Sequence, residues 1–275
     1  MSSTDWTPPS EARELADGKL LIDEPAEAVA RLTISNPSKR NALDHPILDA
    51  LTQALLGLDA RCVLITGAHG MFSAGYDIGD MPEDKFAEQA ETLVAHPFTA
   101  AIEALESYPY PVVAALPGHA IGGGLEIALS CDLRIAAAGI KVGMPPAKLG
   151  LVYSFTGIQK FLDTVGAART REIFLVGRNF DVDTALAWGL VNAVVDGAEL
   201  EREALALATE IAGNAPMSLA GNKTIIRELL AARGRLDPDT ERELVELRRR
   251  CFVSEDFREG VRAFGEKRAP RWQGR

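Results

Sequence analysis

The sequence predicts an α/β fold that ends in a helical region. Over residues 19–198, short apolar runs alternate with glycine-bearing loops and with apolar residues at helical spacing. From residue 199 onward, only the helical spacing recurs, between charged positions. Strands and helices that alternate first, followed by helices alone, are typical of an α/β body with a C-terminal helical region. The 275 residues therefore divide into a polar lead-in (1–18), a core (19–198) and a helical region (199–275).

Composition excludes several classes of protein. The net charge of −10 disfavours non-specific attraction to nucleic acid. Three cysteines, an odd number at wide spacing, argue against a disulfide framework or a CxxC metal site. No apolar run reaches the ~18 residues of a membrane span, and the N-terminus does not resemble a signal peptide. We expect a soluble, cytoplasmic protein that binds neither nucleic acid nor membrane and carries no metal.

The core begins with a predicted hairpin. Residues 19–24 and 28–34 have the pattern of short strands, and the turn falls at residues 25–27. A loop with breakers at Asn36 and Pro37 follows, and then a helix over residues 46–59 with apolar residues at helical spacing. The remaining predicted elements are strands at 62–67, 111–118, 133–138 and 189–195, and helices at 83–106 and 122–132.

Two glycine-bearing loops each follow an apolar strand. The first contains the run MFSAGYDI and the second the run PGHAIGGGLEIA. Glycine allows the backbone to approach a ligand closely, and a helix N-terminus presents N–H groups with partial positive charge. Such groups stabilise an oxyanion when they face a carbonyl oxygen. Alternatively, the glycines could serve only the packing of strands against helices.

Other glycine-based and catalytic motifs do not fit these loops. The dinucleotide fingerprint G-x-G-x-x-G lacks its third glycine, because Ile127 stands there. A G-x-S-x-G nucleophile elbow, a phosphate-binding P-loop and an H-E-x-x-H zinc motif do not occur in the sequence. His119, within the second loop, could face the site or pack within the loop.

At these residues the sequence resembles the crotonase (enoyl-CoA hydratase/isomerase) superfamily. FSAGYDI and GHAIGGGLEIALSCDLRIA are similar to its two signatures, NPSKRNALD to the loop before them, and SEDFREGVRAFGEKRAP to its C-terminal pattern. The motifs fall in the family's order over residues 18–272. The resemblance implies a ββα spiral, an acyl-CoA thioester substrate and a role in fatty acid metabolism. It implies no separate cofactor, because coenzyme A is part of the substrate. It also implies that the C-terminal region assembles trimers or hexamers.

The resemblance assigns roles in the two loops. The backbone N–H groups of Tyr76 and Gly123 would form an oxyanion hole for a thioester enolate. Glu126 matches one of the two catalytic glutamates of the hydratases, and could otherwise be a helix N-terminal acid that complements the dipole. The second hydratase glutamate is replaced by Pro146, which leaves a two-glutamate hydration mechanism in doubt.

One segment is more similar to the methylmalonyl-CoA decarboxylase branch. The run PPAKLGLVY places Tyr153 on that branch's active-site tyrosine, which is proposed to hold the leaving carboxylate. A half-buried loop aromatic is the alternative for Tyr153. Where that branch has a histidine in the first signature, this sequence has Tyr76.

The resemblance also implies a substrate and coenzyme A surface. Basic residues before Asn41 and near the C-terminus, the latter from a neighbouring subunit, would meet the phosphates, although solvated surface charge explains them equally well. The charged run 241–250 is interpreted as a solvated or subunit-contacting face. The candidate residues are Lys39, Arg40, Ala42, Ala74, Gly75, Asp77, Ile78, Gly122, Pro146 and Lys267.

Three functions remain open. The first is an enoyl-CoA hydratase or isomerase, favoured by Glu126 and the signatures. The second is a malonyl- or methylmalonyl-type acyl-CoA decarboxylase, favoured by Pro146 and Tyr153. The third is a non-catalytic relative that binds RNA or a protein, which the net charge of −10 disfavours for RNA.

Overall fold

A sheet of mixed direction forms the centre of the molecule. The computed structural model describes residues 12–77 and 86–275, with only the helical backbone for 86–96. Within these residues, seven strands form the main sheet in the order β1-β2-β3-β4-β5-β7-β10, and β6-β8-β9 form a small second sheet. The strands are β1 (Arg13–Leu15), β2 (Leu20–Ala26), β3 (Val29–Ile34), β4 (Cys62–Gly67), β5 (Val112–Leu116), β6 (Ala120–Ile121), β7 (Leu133–Ala137), β8 (Lys141–Gly143), β9 (Asn179–Asp181) and β10 (Ala193–Val195).

Helices surround this sheet and make up the chain after β10. The predicted α/β class with a C-terminal helical region is therefore confirmed. The helices are α1 (His45–Gly57), α2 (Phe86–Ser107), α3 (Gly123–Ser130), α4 (Phe155–Arg171), α5 (Val182–Ala187), α6 (Leu200–Ala212), α7 (Pro216–Arg233), α8 (Pro238–Phe252) and α9 (Glu255–Gly265).

The predicted hairpin is present, with a later turn than expected. β2 and β3 pair antiparallel, and β2 continues to Ala26. The register shifts between Asp23 and Ala26, which places Pro25 at an irregular position where its missing N–H costs no ladder hydrogen bond. Ala28 then takes φ +58 in the turn.

In the main sheet, strands β3, β4, β5, β7 and β10 run parallel to one another. β3, β4 and β5 are buried at every residue, as expected for parallel strands between two layers of helices. α6 supplies part of that cover, since Leu200, Ala204 and Ala208 belong to the main core cluster. The start of the helical region thus contributes to the sheet's own core, and the predicted domain boundary at residue 198 stays a prediction.

Short elements account for most of the differences from the predicted elements. β1 lies in the polar lead-in, and β8 and β9 are three residues each, too short to show alternation. The predicted strand at 189–195 contains only β10, because Gly189 and Leu190 form the turn that ends α5. None of the described helices is long and apolar enough to cross a membrane.

Candidate active site

The two glycine-bearing loops meet at one edge of the sheet. β4 and β5 are parallel neighbours, with Val63 opposite Val112, so the loops that follow them leave at the same edge. Ser73 and Ala120 form an isolated parallel bridge between the loops. The Ile121 N–H donates to the Ser73 carbonyl at 3.0 Å. The loops therefore form one backbone layer rather than two separate surfaces.

The loop before α1 fixes the orientation of Tyr76. Leu43 and Tyr76 form a parallel bridge, in which the Leu43 N–H donates to Gly75 and the Asp77 N–H donates to Leu43, at 2.8 and 3.0 Å. Because the residues on either side of Tyr76 make both bonds to Leu43, the N–H of Tyr76 itself points away from Leu43. The Tyr76 nitrogen lies on the side of Gly123, where a Cβ added to Gly123 would be 3.6 Å from it.

The second glycine-bearing loop places the N-terminus of α3 beside the Tyr76 nitrogen. Gly122 has φ +56, a conformation that favours glycine, and its N–H donates to Gly143 at 2.9 Å. α3 begins at Gly123, so the N–H of Gly123 is among the first-turn donors that have no partner within the helix. A Cβ on Gly124 would lie 2.6 Å from Ser73 Cβ, so a side chain there would push the loops apart.

Glu126 lies in the first turn of α3 and is 4% exposed. The Tyr153 hydroxyl donates a hydrogen bond to Glu126 Oε2. Burial raises the pKa of the Glu126 carboxyl, and the Tyr153 hydrogen bond offsets part of that rise. A Cβ on Gly157 would be only 2.9 Å from Glu126 Oε1, so the α4 backbone closes against the carboxyl. The site therefore holds a desolvated carboxyl group whose pKa is raised, so that it keeps its proton to higher pH than an exposed glutamate does.

Tyr153 is held in place from two sides. Its ring packs against Phe174 with centroids 5.5 Å apart. The next residue, Ser154, caps α4 by accepting the Gly157 N–H at 3.0 Å. Burial, and then the Glu126 carboxylate, raise the pKa of Tyr153 well above its ordinary value, so this phenol remains a hydrogen-bond donor.

Pro146 opens a short 3₁₀ helix, Pro146–Leu149, and is buried. Its carbonyl accepts the Leu151 N–H at 2.9 Å. Proline has no ionisable side chain, so this position supplies no second carboxylate beside Glu126.

The predicted coenzyme A residues fall into two groups. The candidates in the loop before α1 and in the first glycine-bearing loop lie together. The Ala74 N–H donates to the Arg40 carbonyl at 3.1 Å, and Lys39 Nζ lies 3.4 Å from Asp77 Oδ2. Lys267 is exposed and follows α9, with its N–H bonded to Phe264. Ala42 and Gly75 are buried, Gly122 and Ala74 half-buried and Arg40 exposed, while Ile78 lies outside the described residues.

Several site residues do not follow from the motifs. Phe98 of α2 packs edge-on against Tyr76, with centroids 6.3 Å apart, and lies over Gly123. Ser154 and Gly157 shape the surroundings of the Glu126 carboxyl. Of these two residues, only Ser154 can be recognised from the sequence, as a serine in the pattern of a helix N-cap. The His119 side chain bonds to strand β8, where its Nδ1 accepts the Lys141 N–H at 2.9 Å. Among the described residues, no group of three or more His, Cys, Asp or Glu could hold a metal ion.

Asn41 clamps the loop before α1 onto the first glycine loop. It is 1% exposed, and its amide donates to Ala68 and Met71 at 2.8 and 2.7 Å. Its Oδ1 accepts the Asn36 N–H at 2.8 Å. We expect Asn41→Ala to lower the free energy of unfolding by about 3 kcal/mol, because it leaves buried backbone groups unpaired. Urea unfolding measures this loss, and the exposed Asn222→Ala should change stability by less than ~0.5 kcal/mol.

The raised pKa of Glu126 predicts a pH-dependent gain of stability in Glu126→Gln. A carboxyl whose folded-state pKa lies above its ordinary 4.5 stabilises the fold fully below that value. That contribution is lost as pH rises through the folded-state pKa. Glutamine does not ionise, so the melting temperature of the variant relative to the native protein should rise from about pH 4 to about pH 8. A difference that stays constant or falls over this range would show that Glu126 is not desolvated.

Comparison with known proteins identifies the family. The family model described as enoyl-CoA hydratase/isomerase matches residues 24–275. A Bacillus subtilis protein described as a probable enoyl-CoA hydratase is 38% identical over 253 residues, covering 90% of this chain and 95% of its own length. The methylmalonyl-CoA decarboxylase of Escherichia coli is 32% identical over 251 residues, with the same coverage of each chain.

Solved structures agree with this result. A methylmalonyl-CoA decarboxylase complexed with 2S-carboxypropyl-CoA superposes with a TM-score of 0.86 at 30% identity, covering 94% of this chain and 98% of the other. The fold and the arrangement of loops define an acyl-CoA enzyme of crotonase type. This chain belongs to the enoyl-CoA hydratase/isomerase family, and its relatives are hydratase-type and decarboxylase enzymes. These comparisons give no support to a non-catalytic RNA- or protein-binding role.

Proposed function

We propose that the enzyme holds the thioester oxygen of an acyl-CoA between the amides of Tyr76 and Gly123, and that Glu126 carries the proton for C2. The observation that carries this proposal is the placement of a buried carboxyl three residues after the Gly123 amide, on a helix whose N-terminus faces the Tyr76 amide. Backbone donors at such a position stabilise a developing enolate. A nearby group that favours its protonated form is suited to general acid catalysis.

Hydration of a 2-enoyl-CoA is the first candidate reaction, because the probable enoyl-CoA hydratase of Bacillus subtilis is 38% identical to this chain and the methylmalonyl-CoA decarboxylase 32%. Water oxygen bonds to C3 while the C2=C3 double bond opens to the enolate. Glu126 gives its proton to C2 and then regains one from the water that has added. With Pro146 at the second carboxylate position, one carboxyl performs both transfers, with Tyr153 holding it in place.

Decarboxylation of a malonyl-type acyl-CoA is the second candidate, favoured by Pro146 and by the Tyr153 hydroxyl beside Glu126. The bond between C2 and the carboxylate breaks and CO₂ leaves. The electron pair forms the enolate at the same two amides, and Glu126 protonates C2. This reaction needs no group to activate water, which suits a site with one carboxyl.

A paired assay separates the two reactions. Loss of the enoyl thioester absorbance of crotonyl-CoA measures hydration, and CO₂ release from malonyl- and methylmalonyl-CoA measures decarboxylation. Hydration that Glu126→Gln abolishes would establish the hydratase reaction. Decarboxylation that Tyr153→Phe abolishes, without hydration, would establish the decarboxylase. Absence of every one of these activities, with acyl-CoA esters failing to bind, would contradict the proposal.

The exposed surface of α7 suggests how the enzyme assembles. α7 carries apolar side chains on its exposed surface, including Met217 at 91% exposure. Exposed apolar patches of this kind mark protein interfaces, and we propose that they join subunits into a trimer or a hexamer of two trimers. Light scattering would give the mass of the assembly.

The acyl-CoA chemistry of the relatives supports a cytoplasmic role in fatty acid metabolism, with no cofactor beyond the coenzyme A of the substrate.

A further inference from the structure

Residues 149–152 lead directly to Tyr153, and α8 bonds to them through one side chain. The Val152 N–H donates to Cys251 Sγ at 3.2 Å, and the Cys251 thiol donates to the Gly150 carbonyl at 2.8 Å. Both bonds are to backbone groups, so they fix the path of the chain itself. Since Val152 is the residue before Tyr153, the Cys251 bridge sets the point from which the tyrosine leaves the backbone.

α9 lies against the same segment at two glycines. Gly150 has φ +65, and a Cβ on it would be 2.8 Å from the Asp256 carbonyl oxygen. A Cβ on Gly260 would be 2.3 Å from the Leu149 carbonyl oxygen. The two backbones therefore meet without an intervening side chain, and the Cys251 thiol supplies the side-chain hydrogen bonds to this segment.

The C-terminal helices also share a small apolar cluster with the segment. Phe252 of α8 and Phe257 of α9 are buried, with ring centroids 5.3 Å apart, and Leu151 packs against them. Tyr153, two residues later, packs against the main core instead. The segment is thus the link between the C-terminal helices and the site, and it packs with the helices.

The Cys251 thiol is suited to both of its bonds. It is half-buried, and burial raises the pKa of the thiol, so at neutral pH the sulfur keeps the proton that it donates to Gly150. The same sulfur accepts the Val152 N–H. A serine hydroxyl can also donate one bond and accept another, whereas an alanine side chain can do neither.

We infer that Cys251 is a positioning residue: by holding Gly150 and Val152, it keeps the Tyr153 hydroxyl on the Glu126 carboxyl. Its effect on turnover rests on the proposed function, in which Glu126 carries the proton for C2. Burial raises the pKa of Glu126, and the Tyr153 hydrogen bond offsets part of that rise. Displacement of the tyrosine should therefore raise the pKa of Glu126 further.

Three charged side chains also act on Glu126, after burial and the Tyr153 hydrogen bond. Lys160 of α4 and Arg248 of α8 lower the pKa of its carboxyl, and Glu106 of α2 raises it. Lys160 and Glu106 form an ion pair with each other. Arg248 lies on the same helix as Cys251, so a shift of α8 would change the pKa of Glu126 even if Tyr153 did not move. The test has to separate these two routes.

Infrared titration of the free enzyme follows the C=O stretch of protonated Glu126, which is identified by its absence in Glu126→Gln. The midpoint should move to higher pH in Tyr153→Phe, which deletes the hydrogen bond, and in the same direction by less in Cys251→Ala. Cys251→Ser should return it close to the native midpoint. In the Tyr153→Phe background, Cys251→Ala should cause no further change, because the bond through which it acts is already gone.

The same variants should differ in turnover. We expect Cys251→Ala to lower kcat by about tenfold with KM nearly unchanged, since a misplacement of about 1 Å can cost ~100-fold, and Cys251→Ser to recover most of the loss. Cys62→Ala is the matched control, because it removes a buried thiol within β4. It should leave the Glu126 midpoint and kcat at their native values, whatever its effect on the melting temperature.

The outcomes distinguish this inference from the proposed function. An unchanged or lowered midpoint in Cys251→Ala would show that the thiol does not position Tyr153. A shift that persists in full in the Tyr153→Phe background would assign the effect to another group, such as Arg248, and would equally overturn the inference. The expected shift together with a native kcat would leave the positioning of Tyr153 intact and would contradict the role of Glu126 in the proposed function.

Discussion

Glu126→Gln is expected to lower kcat by about 10²- to 10⁴-fold, the usual contribution of a positioned general acid or base. Glutamine has nearly the same shape and can still accept the Tyr153 hydrogen bond, so the variant removes the proton without removing the contact. The loss should appear in kcat, while the Kd for a saturated acyl-CoA stays near its native value, because the carboxyl acts on the reacting carbon and not on coenzyme A.

Glu103→Gln provides the control for this prediction. Glu103 is exposed on α2, so its replacement makes the same chemical change, carboxyl to amide, without altering the site. Its activity should match that of the native enzyme. If Glu126→Gln retained more than about a tenth of native kcat, well above the range for loss of a proton carrier, Glu126 would have only a structural role at the helix N-terminus.

Gly123→Pro is expected to lower kcat/KM by about 10²- to 10³-fold, the cost of one oxyanion-hole donor. Gly123 is the first residue of α3, a position where proline is accommodated because the N–H has no partner within the helix. The substitution therefore deletes the proposed donor at a place where helix geometry is compatible with proline.

Gly123→Ala separates loss of the donor from a steric effect. It keeps the N–H and adds a Cβ that would lie 3.2 Å from Phe98 Cε2, a ring edge that can move by a few tenths of an ångström. We expect Gly123→Ala to retain most of the activity that Gly123→Pro loses. Equal losses in the two variants would indicate that space at Gly123, and not its N–H, supports the reaction.

The sequence was sufficient to predict that the two glycine-bearing loops lie together. The runs after Gly67 and Leu116 follow neighbouring parallel strands, and the carboxyl ends of such strands meet at one edge. Tyr76 and Gly123 are therefore brought together by topology, which the order of motifs already indicates. The burial of Glu126 follows in part from its spacing within α3, because a first-turn side chain points back toward the loop.

Contacts that depend on helix packing could not be predicted in the same way. The hydrogen bond between Tyr153 and Glu126 requires the direction in which α4 leaves its Ser154 cap and the absence of a side chain at Gly157. Arg248 is one of three consecutive arginines, and no periodicity distinguishes this half-buried arginine, which packs against Phe252, from its exposed neighbours. Such assignments need the tertiary contacts of α8, which local sequence patterns do not encode.

The carbonyl stretch of a bound thioester tests the proposed oxyanion hole most directly. Butyryl-CoA carrying ¹³C at the thioester carbonyl can be neither hydrated nor decarboxylated, so its infrared difference spectrum reports binding alone. The account predicts a shift to lower frequency in the native enzyme, because two amide donors polarise the carbonyl, and a smaller shift in Gly123→Pro. An unshifted carbonyl in the native complex, or the same shift in both proteins, would contradict the assignment of the Tyr76 and Gly123 amides as the oxyanion hole.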